Sequence, residues 1–341
     1  MPVLLNAKYP GVERRAGLNW PRLPSGMRKQ PRSTVLHIGL VNNMADAAMG
    51  ATEHQCLTLL ESAAGDMVVK FSLYALPEIE RKPQGQRRVG SYYFGIEQLR
   101  DLPPEHRPDG LIITGREPRT ADLREEAYWP SFNRLLTWTQ EHGRSSVWSC
   151  LAAHAAVLAL DGIERVRSQH KHCGIFACDQ AGPHTLLAGA PGNLRVPHSR
   201  WNGICEGELA DCGYQVLTQT RDSGVDSFVK QDAGLFVFFQ GHPEYEAETL
   251  MGEYRRDVGR YLRGESNAYP LVPRDYFDAE TERALRQIEA RAQVAREEEI
   301  LDLVSDVLGS VRIQNTWRST ATLNYRNWLE HLCWKKSHAA N

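Results

Sequence analysis

The sequence has little net charge and no long apolar run. Its 341 residues include 40 lysines and arginines against 42 aspartates and glutamates, so the formal net charge is −2. A balance of this kind gives no electrostatic reason to expect binding to nucleic acid or to an anionic membrane surface. No uninterrupted stretch approaches the roughly 18 apolar residues of a membrane span. We therefore expect neither nucleic acid nor membrane as a partner.

We expect neither a disulfide framework nor an N-terminal targeting segment. The chain has seven cysteines, an odd number at irregular spacings, and it is not small. Such a pattern argues against a disulfide scaffold. Residues 1–8 lack the charged lead and apolar run of a signal peptide. We therefore expect a cytoplasmic, reduced setting in which one cysteine is free to react.

Short runs rich in β-branched residues alternate with helical patterns. Strands are predicted at 34–41, 68–74, 111–115 and 145–150, and helices at 53–63 and 128–141. Strands that alternate with helices of this length are typical of parallel α/β sheets. Three later strands, predicted at 213–218, 227–230 and 235–240, lie closer together, and we interpret them as an antiparallel extension. The fold class is therefore α/β, a parallel sheet flanked by helices.

Cys150 lies where a predicted strand ends and a sequence favouring helix begins at Leu151. Ligands of parallel α/β proteins bind at this edge of the sheet. The positive end of the helix dipole favours a thiolate there, and backbone N–H groups of the first turn, such as that of Leu151, can receive an oxyanion. Cys150 is therefore a candidate nucleophile, although a buried cysteine at a strand end would look the same.

A histidine and a glutamate follow another predicted strand. Pro243 biases His242 away from the helical conformation, and residues two apart in an extended segment point to the same side. Glu244 can then hold one imidazole nitrogen while the other faces the Cys150 thiol, as a nucleophile, base and orienting acid require. His154, one helical turn beyond Cys150, is expected to pack beside the pocket instead of acting as the base.

With these motifs the chain resembles the homoserine O-acyltransferase (homoserine O-succinyltransferase, MetA-type) family, whose fold is like that of class I glutamine amidotransferases. The resemblance covers roughly residues 34–258 and 315–334. Besides the cysteine and the histidine loop, it rests on four segments: 171–176, 196–201, 246–257, and 316–319 with 327–329. Each segment alone is weakly specific, but their order along the chain is typical of the family.

The resemblance implies a ping-pong transfer of an acyl group from acyl-coenzyme A (acyl-CoA) to L-homoserine, through a thioester on the cysteine, in methionine biosynthesis. It implies a homodimer, and it implies no metal or tightly held cofactor, since the acyl-CoA co-substrate is already activated. The residues it assigns are a catalytic group, Cys150, His242 and Glu244, and a substrate-binding group, Lys171, Ser199 and Arg256.

Two loops depart from the family pattern. The turn at 42–49 lacks the family's lysine near the oxyanion, so the backbone N–H of Leu151 and the side-chain amide of Asn43 are the candidate donors. The loop at 115–119 places Arg119 where a family residue distinguishes acetyl from succinyl transfer. An arginine can pair bidentately with a succinyl carboxylate or bind a CoA phosphate. Succinyl-CoA is therefore the preferred donor and acetyl-CoA the alternative.

The resemblance and the composition together predict four parts of the chain. An N-terminal arm spans 1–33 and an amidotransferase-like catalytic domain spans 34–264. Residues 265–312 form an inserted helical segment longer than the family's link, and 313–341 form a C-terminal segment that packs on the catalytic domain. The insertion is expected to cover the site or to build a subunit interface.

Two other interpretations stay open. The first is a class I amidotransferase-like cysteine hydrolase, although the nucleophile of that class usually lies in a Gly-x-Cys-x-Gly elbow and Cys150 does not. The second is a metal-binding or non-catalytic protein. It rests on a local group of potential ligands, His170, His172, Cys173 and Cys178, whose spacing matches no common structural zinc pattern.

Overall fold

The structure is a computed structural model that describes residues 3–5 and 35–338. In these residues eleven strands form one sheet, in the order β1-β3-β2-β5-β6-β11-β10-β9-β7-β8, with β4 beside β3. The strands are β1 Val3–Leu5, β2 Val35–Val41, β3 Val68–Ala75, β4 Tyr93–Gly95, β5 Gly110–Thr114, β6 Ser145–Ser149, β7 Val166–Gln180, β8 Leu194–Gly203, β9 Gln215–Thr220, β10 Gly224–Gln231 and β11 Leu235–Phe239. Apart from β1, the predicted arm at 1–33 lies outside the described residues.

Ten α-helices occur in the same described part of the chain. They are α1 Asp46–Ala64, α2 Pro83–Tyr92, α3 Gln98–Asp101, α4 Trp129–Glu141, α5 Leu151–Asp161, α6 Glu206–Asp211, α7 Thr249–Leu262, α8 Ala279–Val294, α9 Glu299–Gly309 and α10 Arg318–His338. Within residues 3–5 and 35–338, no helix combines the length and the apolar character that crossing a membrane requires.

The predicted α/β architecture, with a largely parallel sheet and helices at the C-terminus, is confirmed. Strands β1 to β6 and β11 pair in parallel, whereas β7 to β10 pair antiparallel with their neighbours. The antiparallel extension predicted for the last three strands is observed, because β9 pairs antiparallel with β10 and β10 pairs antiparallel with β11. The sequence did not predict that β11 lies between β6 and β10 and also pairs in parallel with β6. All five residues of β11 are buried, as a central strand requires.

The pairing of β6 with β11 positions the two sequence motifs. Ser149, the last residue of β6, is opposite Phe239, the last residue of β11. Because parallel strands end at the same edge, Cys150 and the Gly241–Tyr245 loop leave the sheet side by side. The long β7–β8 hairpin, which periodicity did not predict, supplies the adjacent wall.

Hydrophobic cores cover both faces of the sheet. On one face α1 and α10 pack against residues such as Val147 and Val237, and the Trp328 Nε1–H donates to Ser145 Oγ at 2.9 Å. On the other face α4 and α5 pack against Trp148 and its neighbours on β11. Alternate residues of the central strands therefore point to opposite layers.

Segment 265–312 builds a third core with α7. Helices α8 and α9 bury residues such as Leu285 and Val304 against Val258 of α7. The Tyr276 hydroxyl donates to the carbonyl oxygen of Ala247, just after the histidine loop. The segment also meets β7, where the Ile175 N–H donates to the Arg274 carbonyl oxygen at 2.8 Å. These contacts brace the histidine loop from behind.

Candidate active site

Cys150 occupies a strained turn between β6 and α5. Its φ of 50° and ψ of −115° are unusual for a residue with a side chain, and holding such a conformation costs about 1–3 kcal/mol. The Cys150 N–H donates to the Phe239 carbonyl oxygen at 2.7 Å, so β11 holds the turn in place. A sharp strand-to-helix turn of this kind presents a nucleophile above the edge of the sheet.

The loop after β5 packs directly against the start of α5. A Cβ atom on Gly115 would lie 2.8 Å from the Leu151 nitrogen and 2.9 Å from the Ala152 nitrogen, so only glycine allows this approach. The first N–H groups of a helix have no intrahelical partner. The Leu151 N–H, at the start of α5, therefore stays the predicted donor to an oxyanion at Cys150.

Asn43 lies at the end of β2, beside the end of β5. Its backbone N–H donates to Thr114 Oγ1 at 2.8 Å, and its side-chain Nδ2 donates to the Thr114 carbonyl oxygen at 2.9 Å. The amide predicted as a possible oxyanion donor thus braces the strand that leads to Gly115. This arrangement makes Leu151 the better placed of the two predicted donors.

His242 and Glu244 have the relation that the sequence predicts. The His242 Nδ1–H donates to Glu244 Oε1 at 2.9 Å, and the Ser149 hydroxyl donates to the same oxygen at 3.3 Å. The His242 backbone N–H donates to the Pro197 carbonyl oxygen at 2.8 Å. The Tyr245 ring stacks on the imidazole, with centroids 4.2 Å apart. The ring is thereby held from three sides.

The charge state of His242 depends on its neighbours. Burial opposes protonation, but the negative charges of a Cys150 thiolate and of Glu244, together with hydrogen bonds to both, raise the pKa of His242 well above its usual value. The surroundings of His242 therefore favour the imidazolium form of this ring.

A buried chain of polar contacts, which the sequence did not predict, lies beside the histidine loop; we call it the relay, and its members are Arg200, His198, Asp226 and Thr218. The Arg200 Nε–H donates to His198 Nδ1 at 3.1 Å, and His198 Nε2 lies 3.1 Å from Asp226 Oδ1, with both side chains fully buried. The Thr218 hydroxyl donates to the other Asp226 oxygen at 2.7 Å. The only signal in the sequence was that His198 and Arg200 flank Ser199.

Gly241 is the contact between this relay and His242. A Cβ atom there would lie 2.5 Å from Val196 Cγ1 and 2.8 Å from Asp226 Oδ1. We expect Gly241→Ala to lower the free energy of unfolding by about 1–3 kcal/mol because a packed core must shift. Urea titration would measure the change. Gly182→Ala is the matched control, since a Cβ at Gly182 meets no atom within 4 Å, and an equal loss there would contradict the explanation.

The relay also bears on metal binding. In residues 3–5 and 35–338 the group of potential ligands is Cys178, His198 and Asp226, whose ligand atoms lie within 4.8 Å of one another. The predicted group around His170 and His172 is not drawn together. Because His198 Nδ1 accepts from Arg200, the neutral ring carries its proton on Nε2, which leaves no lone pair toward Asp226. The donor set therefore does not fit a metal ion.

The predicted substrate residues form a charged cluster beside the histidine loop. The Lys171 ammonium lies 2.8 Å from Asp257 Oδ2, and the Arg256 guanidinium lies 2.9 Å from Asp257 Oδ1. Ser199 is nearby on β8, opposite Cys173 of β7. Burial opposes ionisation of Asp257, but Lys171 and Arg256 hold the pKa of its carboxyl below its usual value. Asp257, which was not predicted as a site residue, joins the two cations.

Arg119 lies apart from this cluster. Its guanidinium pairs with Glu80 Oε2 at 2.6 Å, and the two side chains are 56% and 76% exposed. The structure therefore places the predicted donor-binding arginine in a surface ion pair.

Comparisons with known proteins point to one family. The model of the family described as homoserine O-succinyltransferase matches residues 25–339. A homoserine O-succinyltransferase of Rhodopseudomonas palustris is 46% identical over 86% of this chain and 87% of its own length. That of Bradyrhizobium japonicum is 42% identical over 91% and 94%, respectively. Among solved structures, a glutamine amidotransferase of Methylobacillus flagellatus is 15% identical and covers 88% of this chain and 95% of its own, with a TM-score of 0.48.

Proposed function

Because the chain belongs to the homoserine O-succinyltransferase family, we propose that it transfers the succinyl group of succinyl-CoA to the hydroxyl of L-homoserine, the activating step toward methionine. The observation that carries the mechanism is the hydrogen bonding of His242 to both Cys150 and Glu244 at the adjacent ends of β6 and β11. The proposal includes a cytoplasmic homodimer, and it needs no metal or bound cofactor because the thioester supplies the activated acyl group.

In the first half-reaction the Cys150 thiolate attacks the thioester carbon of succinyl-CoA. The negative charge moves to the carbonyl oxygen, where the Leu151 N–H at the start of α5 stabilises it. The C–S bond to CoA then breaks, and the His242 imidazolium donates its proton to the departing CoA sulfur. The products are free CoA and succinyl-Cys150 beside a neutral imidazole.

Acylation prepares the second half-reaction. The thiolate charge that raises the pKa of His242 is absent from the thioester, so the imidazole is now a base. It takes the proton of the homoserine hydroxyl as the oxygen attacks the thioester carbon. Cys150 leaves as a thiolate, which restores the ion pair and releases O-succinylhomoserine.

The acceptor is proposed to lie against the Lys171–Asp257–Arg256 cluster. The two cations suit the carboxylate of homoserine, and the Ser199 hydroxyl offers a further hydrogen bond. Asp257 holds both cations at less than 3 Å, so their positions are set before the acceptor binds. Preorganisation of this kind lowers the entropic cost of bringing the hydroxyl to the thioester.

CoA release by the purified protein tests the proposal. Succinyl-CoA and acetyl-CoA are each supplied with L-homoserine, with L-serine or with no acceptor, and light scattering gives the subunit number. Homoserine-dependent release from succinyl-CoA is expected. Faster release from acetyl-CoA would make the protein a homoserine O-acetyltransferase, and release without any acceptor would favour a cysteine hydrolase.

Glu244→Gln tests the orienting acid. The substitution removes a negative charge that raises the pKa of His242, so we expect kcat to fall by about 10- to 100-fold, the equivalent of one charge-assisted hydrogen bond. Steady-state assays at several pH values would measure it. Ser149→Ala is the control because it removes only the longer hydrogen bond to the same oxygen. A larger effect for Ser149→Ala would contradict the assignment.

A further inference from the structure

Side-chain contacts and the backbone of α7 connect His242 to the loop after β5. From His242 the path continues through the stacked Tyr245 ring, whose hydroxyl donates to Glu253 Oε1 of α7 at 2.8 Å. One turn further along α7, Asp257 contacts Lys171 of β7 at 2.8 Å. This half of the path contains the residues proposed to bind the acceptor.

The other half of the path ends in the loop after β5. Arg260, on the last turn of α7, donates from Nη1 and Nη2 to the two oxygens of Glu117, at 3.1 Å and 2.8 Å. Glu117 lies two residues after Gly115, which packs against the Leu151 amide. The Glu117–Arg260 pair is therefore the link between the substrate-binding helix and the loop beside the nucleophile.

We propose that Arg260 binds the terminal carboxylate of the succinyl group, and that the Glu117 carboxylate occupies this position until the donor displaces it. This inference rests on the proposed function and names the residue that selects its donor. Two parallel N–H···O bonds to one carboxylate are the geometry that a guanidinium forms with a succinyl carboxylate.

Exposure and charge make the exchange of carboxylates feasible. The side chains of Arg260 and Glu117 are 36% and 70% exposed, and ion pairs in contact with water hold together weakly. Arg256 and Lys171 already share Asp257, whereas Arg260 lies 3.9 Å from that carboxylate. Lys171 and Arg256 therefore lie where the acceptor is proposed to bind, whereas Arg260 contacts the loop beside Cys150.

The loop after β5 limits how far the Glu117–Arg260 pair can lie from the start of α5. Glu117 Cα lies within about 8 Å of Gly115 Cα because successive Cα atoms are 3.8 Å apart. A succinyl group spans roughly 4 Å from its thioester carbon to its carboxylate carbon, by standard bond lengths, which is a length of the same order as this loop. Arg119, the residue predicted from the sequence, is paired with Glu80 at the surface.

Donor preference of single variants tests the inference. Arg260→Gln is expected to lower kcat/KM for succinyl-CoA about 10- to 100-fold, as expected for the loss of a charge-assisted contact. With acetyl-CoA, which has no terminal carboxylate, kcat/KM should change less than about threefold. Mass spectrometry of acyl-Cys150 without acceptor isolates the donor half-reaction. Glu117→Gln should lower the KM for succinyl-CoA, because the competing anion is removed.

Two further variants serve as controls. Arg263→Gln removes another guanidinium at the end of α7, one that pairs with Glu265 at 2.7 Å, and it should leave both donors unaffected. Arg119→Gln should also leave the preference unchanged. Loss of succinyl preference in Arg119→Gln, with Arg260→Gln unaffected, would restore the sequence-based prediction and overturn ours.

The failure of this inference is distinguishable from failure of the proposed function. If the wild-type protein releases CoA from succinyl-CoA and Arg260→Gln keeps the wild-type preference, only the role of Arg260 is overturned. An equal loss with both donors would also overturn it, since that pattern indicates damage to the fold of α7. If the wild-type protein acylates homoserine from neither donor, both the function and the inference fail.

Discussion

Cys150→Ala is expected to abolish homoserine-dependent CoA release, with a loss of about 10⁴-fold or more. The whole acyl transfer passes through this sulfur, and no other group at the strained turn between β6 and α5 can form the thioester. Intact-protein mass spectrometry after mixing with succinyl-CoA should show one added succinyl group in the wild-type protein and none in the variant.

The other cysteines make this test specific. Cys205 is exposed and free, so adventitious acylation would be found there first. Cys205→Ala should keep full activity and the full mass increment. A Cys150→Ala protein that still gains a succinyl group and still turns over would show that the nucleophile lies elsewhere.

His242→Ala is expected to reduce turnover by about 10²- to 10⁴-fold, the usual contribution of a positioned acid–base group. Two steps fail together, because the imidazolium stabilises the thiolate in the first half-reaction and the neutral ring accepts the hydroxyl proton in the second. The fold should persist, since β6, β11 and the relay under Gly241 remain. The urea midpoint would verify this, and initial rates would measure the loss.

The pH dependence of alkylation gives a second measurement for His242. The negative charges of Cys150 and Glu244 raise the pKa of His242, so the wild-type protein keeps the imidazolium at neutral pH and loses it only as the pH rises through that raised pKa. The His242→Ala protein lacks this positive charge, so its rate of Cys150 alkylation by iodoacetamide at neutral pH should be lower than that of the wild-type protein.

His154 provides the comparison for that experiment. Burial and, to a smaller extent, the nearby arginines lower the pKa of His154 to about 3, so this ring is neutral in the working range. His154→Gln should therefore leave the alkylation profile unchanged. A shift in the His154 variant and none in His242→Ala would exchange the roles of the two histidines.

The sequence by itself determined the parts of the site that depend on local order. Three of these parts depend only on a few neighbouring residues. Cys150 lies at a strand-to-helix junction, and Pro243 keeps His242 extended. The two-residue spacing of His242 and Glu244 allows the hydrogen bond of 2.9 Å between their side chains. The apolar runs likewise predicted the central strands, because hydrophobic periodicity reflects burial.

The tertiary structure decided which distant residues meet. Three features depend on contacts between residues far apart in the chain. They are the parallel pairing of β11 with β6, the position of Asp226 beside Gly241, and the ion pair of Arg260 with Glu117. The pairing of Arg119 with Glu80 at the surface is of the same kind. Strand β7 is also formed by tertiary contacts. Most of its residues are not buried, so its hydrophobic pattern does not predict a strand, and its antiparallel pairing with β8 stabilises it. Local sequence limits backbone conformation, whereas register and ion pairing are settled only when the whole sheet and its helices pack together.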